Sequence, residues 1–209
     1  MGYIMREKDD SARGKILEAA KAEFMERGFA EASMRTIAER AGFTTGMLYS
    51  RFADKSEIFR ELVESPADEL SNYFITVQNE FAGYSPEYQR REMHPYVAQK
   101  IDHMVDLIYD NFDAFKLILC KSGGTSYEYY VDKMIDVETE STFRFIDAVK
   151  GAGYEIADIR KDLAHMLASA MFNGMFEVVM HDLSREDARQ YILKLQEFFN
   201  AGWDKLLGL

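Results

Sequence analysis

Between Ser33 and Lys55 the chain reads SMRTIAERAGFTTGMLYSRFADK, and the spacing of its apolar residues leaves few folds open. Met34, Ile37, Ala38 and Ala41 recur at i, i+3, i+4 and i+7, the stripe of an amphipathic helix. Ser33 precedes that stripe as an N-cap. Gly42 stands where a helix ends in the left-handed conformation, with Phe43 placed to fold back on it. Thr44 or Thr45 caps a second helix of about eight residues, whose inward residues are Leu48 and Phe52. A helix that short is not stable alone in water, so its neighbours must hold it. Its outer face, with Thr44, Thr45, Gly46, Met47, Ser50 and Arg51, is left to touch another molecule. That is the layout of a helix-turn-helix whose second helix enters a DNA major groove.

The flanking sequence predicts more helices. Ile16, Leu17, Ala20 and Phe24 form the stripe of a first helix over about 11–27, stopped by Gly28–Phe29. Residues 1–10 read as an arm, frayed or touching DNA through Arg6 and Lys8. Asp54 and Glu57 open a fourth helix as a capping box, with Ile58, Phe59, Leu62 and Val63 inward. Pro66 is expected to kink or break it before the pattern resumes to about Phe81. Residues 83–95, with two prolines and many polar groups, read as a loop. Helices follow over about 97–112 and 115–121, from the Thr125–Glu128 capping box to Val149, and over 159–180. The last opens at Ser184 and carries Ala188, Tyr191, Ile192, Leu195, Phe198, Phe199, Trp203 and Leu206 on one face. No segment of useful length alternates with period two, so the expectation is an all-α fold of about nine helices.

The formal net charge is −11, at first sight unsuited to nucleic acid. Its distribution matters more. Residues 1–60 carry 11 Lys/Arg and 10 Asp/Glu, net +1, and residues 61–209 carry 14 and 26, net −12. The acidic excess lies away from the groove-binding helix. The single cysteine, Cys120, excludes an internal disulfide framework and fits a reducing cytosol. No apolar run of 18 residues predicts a membrane span, and the first residues lack a signal-peptide core. His94, His103, His165 and His181 have no metal-ligand spacing, and no phosphate loop or nucleophile signature occurs. No cofactor or metal is therefore expected, and enzymatic function is disfavoured.

Four separated segments, ILEAAKAEFMERGF (16–29), TIAERAGF (36–43), GMLYSRF (46–52) and DKSEIF (54–59), resemble the DNA-binding domain of the tetracycline-repressor (TetR) family. The resemblance implies a helix-turn-helix domain over residues 1–57 and a helical effector-binding and dimerisation domain over 58–209. It also implies a cytoplasmic homodimer on double-stranded operator DNA, whose last two helices build a four-helix interface. The tyrosine matching Tyr49 and the lysine matching Lys55 hold the DNA backbone in that family. Thr45 stands where a lysine is frequent and Arg51 where a tyrosine or histidine is frequent, departures that leave the fold expectation intact and the operator sequence open.

Phosphate-facing candidates are Ser33, Thr36, Tyr49 and Lys55. Base-edge candidates are Thr44, Thr45, Gly46, Met47 and Ser50, with Arg35 from the preceding helix; arginine suits guanine, and threonine and methionine suit thymine methyls. The middle helices are rich in Tyr, Phe and Met, which make adaptable apolar walls. Tyr73, Met104, Ile108, Phe112, Leu119, Tyr130, Met134, Phe172, Asn173 and Phe176 are candidates for contact with a hydrophobic or aromatic effector. Gly174, four residues from Ala170, reads as a close approach by another helix, from a second subunit or the same one. Met171, Gly174, Val178, Tyr191, Leu195, Phe198 and Trp203 are the dimer candidates. Together these features point to a transcriptional regulator, a repressor released from its operator by a small effector. The alternatives are a DNA-binding regulator without an effector and an all-α enzyme.

Overall fold

The computed structural model describes residues 2–209, with side chains from Ser11 onward, so the expected roles of Arg6 and Lys8 lie outside the described side chains. Among the described residues the chain forms nine helices and no strand. They are α1 (Gly2–Glu31), α2 (Met34–Ala41), α3 (Thr45–Tyr49), α4 (Lys55–Ala82), α5 (Pro86–Asp110), α6 (Phe112–Lys121), α7 (Tyr130–Gly151), α8 (Lys161–Met180) and α9 (Arg185–Leu207). They divide into two compact units, one of residues up to Ala67 with Asp113–Glu128, the other of Asp68–Phe112 with Tyr129–Leu209.

In the first unit, Gly28 interrupts α1 at φ 76°, ψ 165°, a conformation open to glycine and strained for other residues. The break turns Phe29 inward. Phe24, Phe29 and Phe59 then stack pairwise with ring centroids 5.2–5.9 Å apart, and Tyr127 lies 6.1 Å from Phe59. Ile16, Ala20 and Phe24, at four-residue spacing on α1, are fully buried, as are Ile37, Leu48 and Ile58. Each such large apolar side chain contributes about 2 kcal/mol by leaving water. α6 completes this core through Phe115 and Leu117.

In the second unit, residues 86–95 are helical rather than a loop. Ser85 caps α5, its Oγ accepting from the Tyr88 amide at 3.3 Å, and Pro86 occupies the first turn, where a missing N–H costs nothing. Pro95 sits inside the helix without ending it. Gln89 is buried, and its side-chain amide donates to the carbonyls of Ala82 and Tyr84 at 3.2 and 2.8 Å, closing the end of α4. α4 likewise runs unbroken through Pro66. α7 starts four residues later than its capping pattern predicts, because Thr125 and Glu128 cap turns: the Tyr127 amide donates to Thr125 and the Gly124 amide to Glu128.

The far end of this unit is a cluster of Phe145, Ile146, Val149 and Leu207, with Trp203, Tyr154 and Ile156 packed against it. Asp102, Asp106 and Asp110, one turn apart on α5, face Arg185 and Arg189 of α9. α8 is long and apolar enough to cross a membrane by length and composition alone, although Lys161, Asp162, His165 and Glu177 interrupt it, so it holds no apolar run of 18 residues. Its apolarity has another use: Ala164, Ala168, Phe172, Phe176 and Val179 are buried inside the unit.

Candidate nucleic-acid interface

α2 and α3 pack on each other through a turn whose geometry follows from Gly42. At φ 75°, ψ 29° this glycine is left-handed; its N–H donates to Glu39 O at 3.1 Å, and the Phe43 N–H donates to Ala38 O at 2.9 Å. These bonds satisfy the last carbonyls of α2. Thr44 then caps α3, its Oγ1 accepting from the Met47 amide at 3.2 Å. α3 spans five residues, shorter than expected, because Ser50 leaves the helix. Leu48 and Phe52 hold it down with essentially no exposed surface. What remains outside is Thr44, Gly46, Tyr49 and Ser50, with Thr45 and Met47 partly exposed. Tyr49 is 53% exposed, so it is not a core tyrosine. The Ser50 hydroxyl donates to Met47 O at 2.7 Å, which ties it to the end of α3.

The start of α2 is held differently from expectation. Ser33 has the extended backbone of an N-cap, but its hydroxyl caps nothing. Instead the carboxylate of Glu23, fully buried in α1, accepts from the Ser33 amide at 3.4 Å. The same carboxylate faces Arg40 at 3.3 Å and Arg27 at 3.6 Å, so one buried acid touches both ends of α2. A buried charge needs such partners. Arg35 is exposed and pairs with Glu39 at 2.8 Å, a surface contact that costs little to exchange for DNA. Thr36, half-buried, lies one residue further on the same helix.

Lys55 requires a correction. The sequence places it against phosphate, but its Nζ donates to Phe29 O and Ala30 O at 2.8 Å and to Ala32 O at 3.3 Å. It also sits 4.6 Å from the centroid of the Phe29 ring. An ammonium has three protons, and all three are occupied by the end of α1. Lys55→Met should therefore lower the stability of the first unit by about 2–3 kcal/mol, measured by thermal unfolding, with little change in the salt dependence of DNA binding. A salt slope reduced by about one without loss of stability would restore the phosphate role.

Residues 16–62 match the family model described as bacterial regulatory proteins, tetR family. Over these residues the chain is similar to the DNA-binding domain of the TetR family. The TetR match coincides with the geometry just described, from Ile16 at the buried face of α1 to Leu62 on α4. The repressor KstR2 of Mycobacterium tuberculosis is 33% identical over 102 residues, covering 49% of this chain and 51% of that protein. The regulator TtgR of Pseudomonas putida is 38% identical over 60 residues, 29% of each chain. The chain thus spans about a third to a half of the length of the curated relatives it matches. Across nearly the whole length the fold is shared with SmeT, the repressor of the Stenotrophomonas maltophilia multidrug efflux pump SmeDEF: TM-score 0.54, 18% identity, 91% of this chain and 89% of that one.

The second unit places the effector candidates unevenly. Ile108, Tyr130, Met134, Phe172 and Phe176 are buried there, with Tyr73, Met104 and Phe112 half-buried. Phe172 meets Phe74 edge-on at 5.5 Å, and Tyr130 accepts a hydrogen bond from Ser71 at 3.1 Å. Leu119 is not among them, because residues 113–128 fold with the first unit. Asn173 is exposed, its amide bonded back to Ser169, so it lines no interior. An open groove of about 510 Å³ between α7 and α8, lined by Asp136, Thr139, Glu140, Lys161, Asp162, His165 and Met166, involves none of the expected residues. Glu138, which the sequence reading passed over, is half-buried in this unit; its carboxylate accepts from Gln78 Nε2 at 2.7 Å, and burial pushes the carboxyl up to about 7 although that hydrogen bond opposes the rise.

The dimer candidates also separate. A Cβ on Gly174 would stand 3.0 Å from Leu195 Cδ2 of the same chain, so the close approach at Gly174 is between α8 and α9 of one subunit. Val178 is buried at 1% exposure, and Trp203 packs on the cluster at the end of α9. Met171 is half-buried. Tyr191 and Phe198 point outward, Phe198 at 72% exposure, and α8 adds the exposed apolar side chains Leu163 and Met166.

Proposed function

We propose that this protein is a homodimeric, cytoplasmic transcriptional regulator, a repressor whose α3 enters the major groove of operator DNA and which a small hydrophobic or aromatic effector releases. The observation that carries the reading is α3 itself. It is capped by Thr44, clamped from behind by Leu48 and Phe52, and free on its outer face. A catalytic reading has no comparable support, since the relatives and structural neighbours named above are regulators. Thr45, Met47 and Ser50 then face base edges, Arg35 reaches from α2, and Tyr49 with Ser33 and Thr36 contacts the backbone. Residues 1–57 are the DNA-binding domain and 58–209 the effector and dimer domain, with α4 the one helix shared by both. An effector that prefers one of two dimer shapes would shift the spacing of the two α3 helices through α4, and only such differential affinity can do so.

Selection of bound sequences from a random DNA pool tests the reading. The wild type should recover a two-fold symmetric site with half-sites about 34–36 Å apart. Tyr49→Ala should weaken all sequences alike, whereas Thr45→Ala or Met47→Ala should change the preferred base, each by about 1–3 kcal/mol. A wild type with no preferred sequence contradicts specific regulation.

A further inference from the structure

Glu23 is a charged side chain on α1 with no exposed surface, so it touches neither a base nor a phosphate. Its Oε1 accepts from the Ser33 amide at 3.4 Å and stands 3.6 Å from Arg27 Nε. Among the described residues its Oε2 accepts no hydrogen bond; the Arg40 guanidinium answers it by charge from 3.3 Å. Arg40 also pairs with Glu26 at the surface. Ser33 immediately precedes α2, and Arg40 is the last residue but one of that helix. Burying a carboxylate is costly, and a well-packed apolar side chain in its place is often neutral or stabilising. Stability alone therefore does not account for an acid at this position.

The way α2 is attached supplies a reason. It spans 8 residues, about 12 Å at the helical rise, and is too short to be stable alone. Its buried residues are Ile37 and Ala38, adjacent in the middle of the helix. Apolar contact is non-directional, so two neighbouring side chains make a pivot rather than a fixed axis. A rock of about 10° about that pivot moves each end of the helix by about 1 Å. Recognition constellations tolerate about 0.5 Å. The turn passes such a motion on to α3, because the amides of Gly42 and Phe43 are bonded to the last carbonyls of α2. Attachments at the two ends resist it, and the Glu23 carboxylate reaches both.

We propose that Glu23 is a positioning residue for DNA recognition: by holding the Ser33 amide and the Arg40 guanidinium at once, its buried carboxylate sets the angle at which α2 carries Arg35 and α3 toward the base edges. This rests on the reading that α3 enters a major groove. The role concerns sequence discrimination and not attraction to phosphate. A loosened α2 presents the same charges to the DNA backbone but makes its base contacts only part of the time. Glu23→Gln keeps the shape and an oxygen for the Ser33 amide, while withdrawing the charge that draws Arg40 and Arg27. Loss of one negative charge also raises attraction to any DNA, so affinity for a non-specific duplex should stay level or rise while operator affinity falls.

The test compares the full-length wild type, Glu23→Gln and the double variant Glu23→Leu/Arg40→Met. Each is titrated by fluorescence anisotropy with the operator selected by the wild type and with a scrambled duplex of the same composition. All titrations share one salt concentration and a temperature at which thermal unfolding shows the proteins folded. The readout is the ratio of the two affinities, because a change in stability or in net charge moves both together. Glu23→Gln should lower that ratio by about tenfold. The double variant replaces the buried ions by apolar side chains, which restores stability without restoring the attachments, so its ratio should stay equally low. Should Glu23→Gln not fold, the double variant decides alone. A ratio unchanged in Glu23→Gln, or a wild-type ratio in the double variant, means that packing suffices to place α2 and overturns the role of Glu23, leaving the groove reading standing. A wild type that recovers no preferred sequence overturns the groove reading itself.

Discussion

Phe198→Glu should turn the protein into monomers and lower operator affinity by about a hundredfold or more. Phe198 is the most exposed large apolar side chain on α9, and Tyr191, two turns earlier, shares its face. Leu163 and Met166 are exposed on α8, which packs against α9. Four such side chains left in water are what a two-fold interface would cover, each contributing twice by symmetry. A burial gain of about 2 kcal/mol per side chain is replaced, at position 198, by a carboxylate on each subunit that the interface would have to desolvate. A monomer carries one α3 and engages one half-site, so it loses the effective concentration that the second half-site supplies. Sedimentation and gel shift measure both effects, with thermal unfolding to show that the subunit itself remains folded. A wild type that sediments as a monomer at micromolar concentration, or a variant that remains dimeric, would sink the proposed interface. Gly174→Glu is the wrong probe, because its side chain would collide with Leu195 of the same subunit.

The parts of the fold legible in the sequence are those written in local signals. The stripe Met34–Ala41, the left-handed Gly42 and the Thr44 cap each act within a few residues, and the structure places α2, the turn and α3 on them. Where a polar residue acts at long range, the pattern misleads. Gln89 looks like loop because it is polar and lies between two prolines; in the fold it is buried, capping the end of α4. Glu23 interrupts an apolar stripe, and only the approach of α2 explains it. Lys55 matches a family position but is occupied by carbonyls brought near by the Gly28 break. Gly174 signalled a close helix approach correctly in kind, but no local pattern distinguishes a helix of the same chain from one of a partner. Glu138 is one of 36 acidic residues, and its character comes wholly from the elements packed around it.

That character has a consequence for stability with a definite sign. Glu138→Gln should stabilise the ligand-free protein at about pH 8 and leave it nearly unchanged at about pH 4. Below the ordinary carboxyl value of 4.5 the acid is protonated in folded and unfolded chains alike, and it contributes nothing. Between 4.5 and about 7 the unfolded chain releases the proton while the folded one retains it, so rising pH favours unfolding. Above about 7 the full cost of ionising a half-buried carboxylate whose printed partner is a neutral amide is present, up to about 3 kcal/mol. Glutamine keeps the shape, can still bond Gln78, and never ionises. Thermal unfolding of wild type and variant at both pH values should therefore show a difference at the higher one only. Equal shifts at both would mean that packing, not charge, distinguishes the side chains.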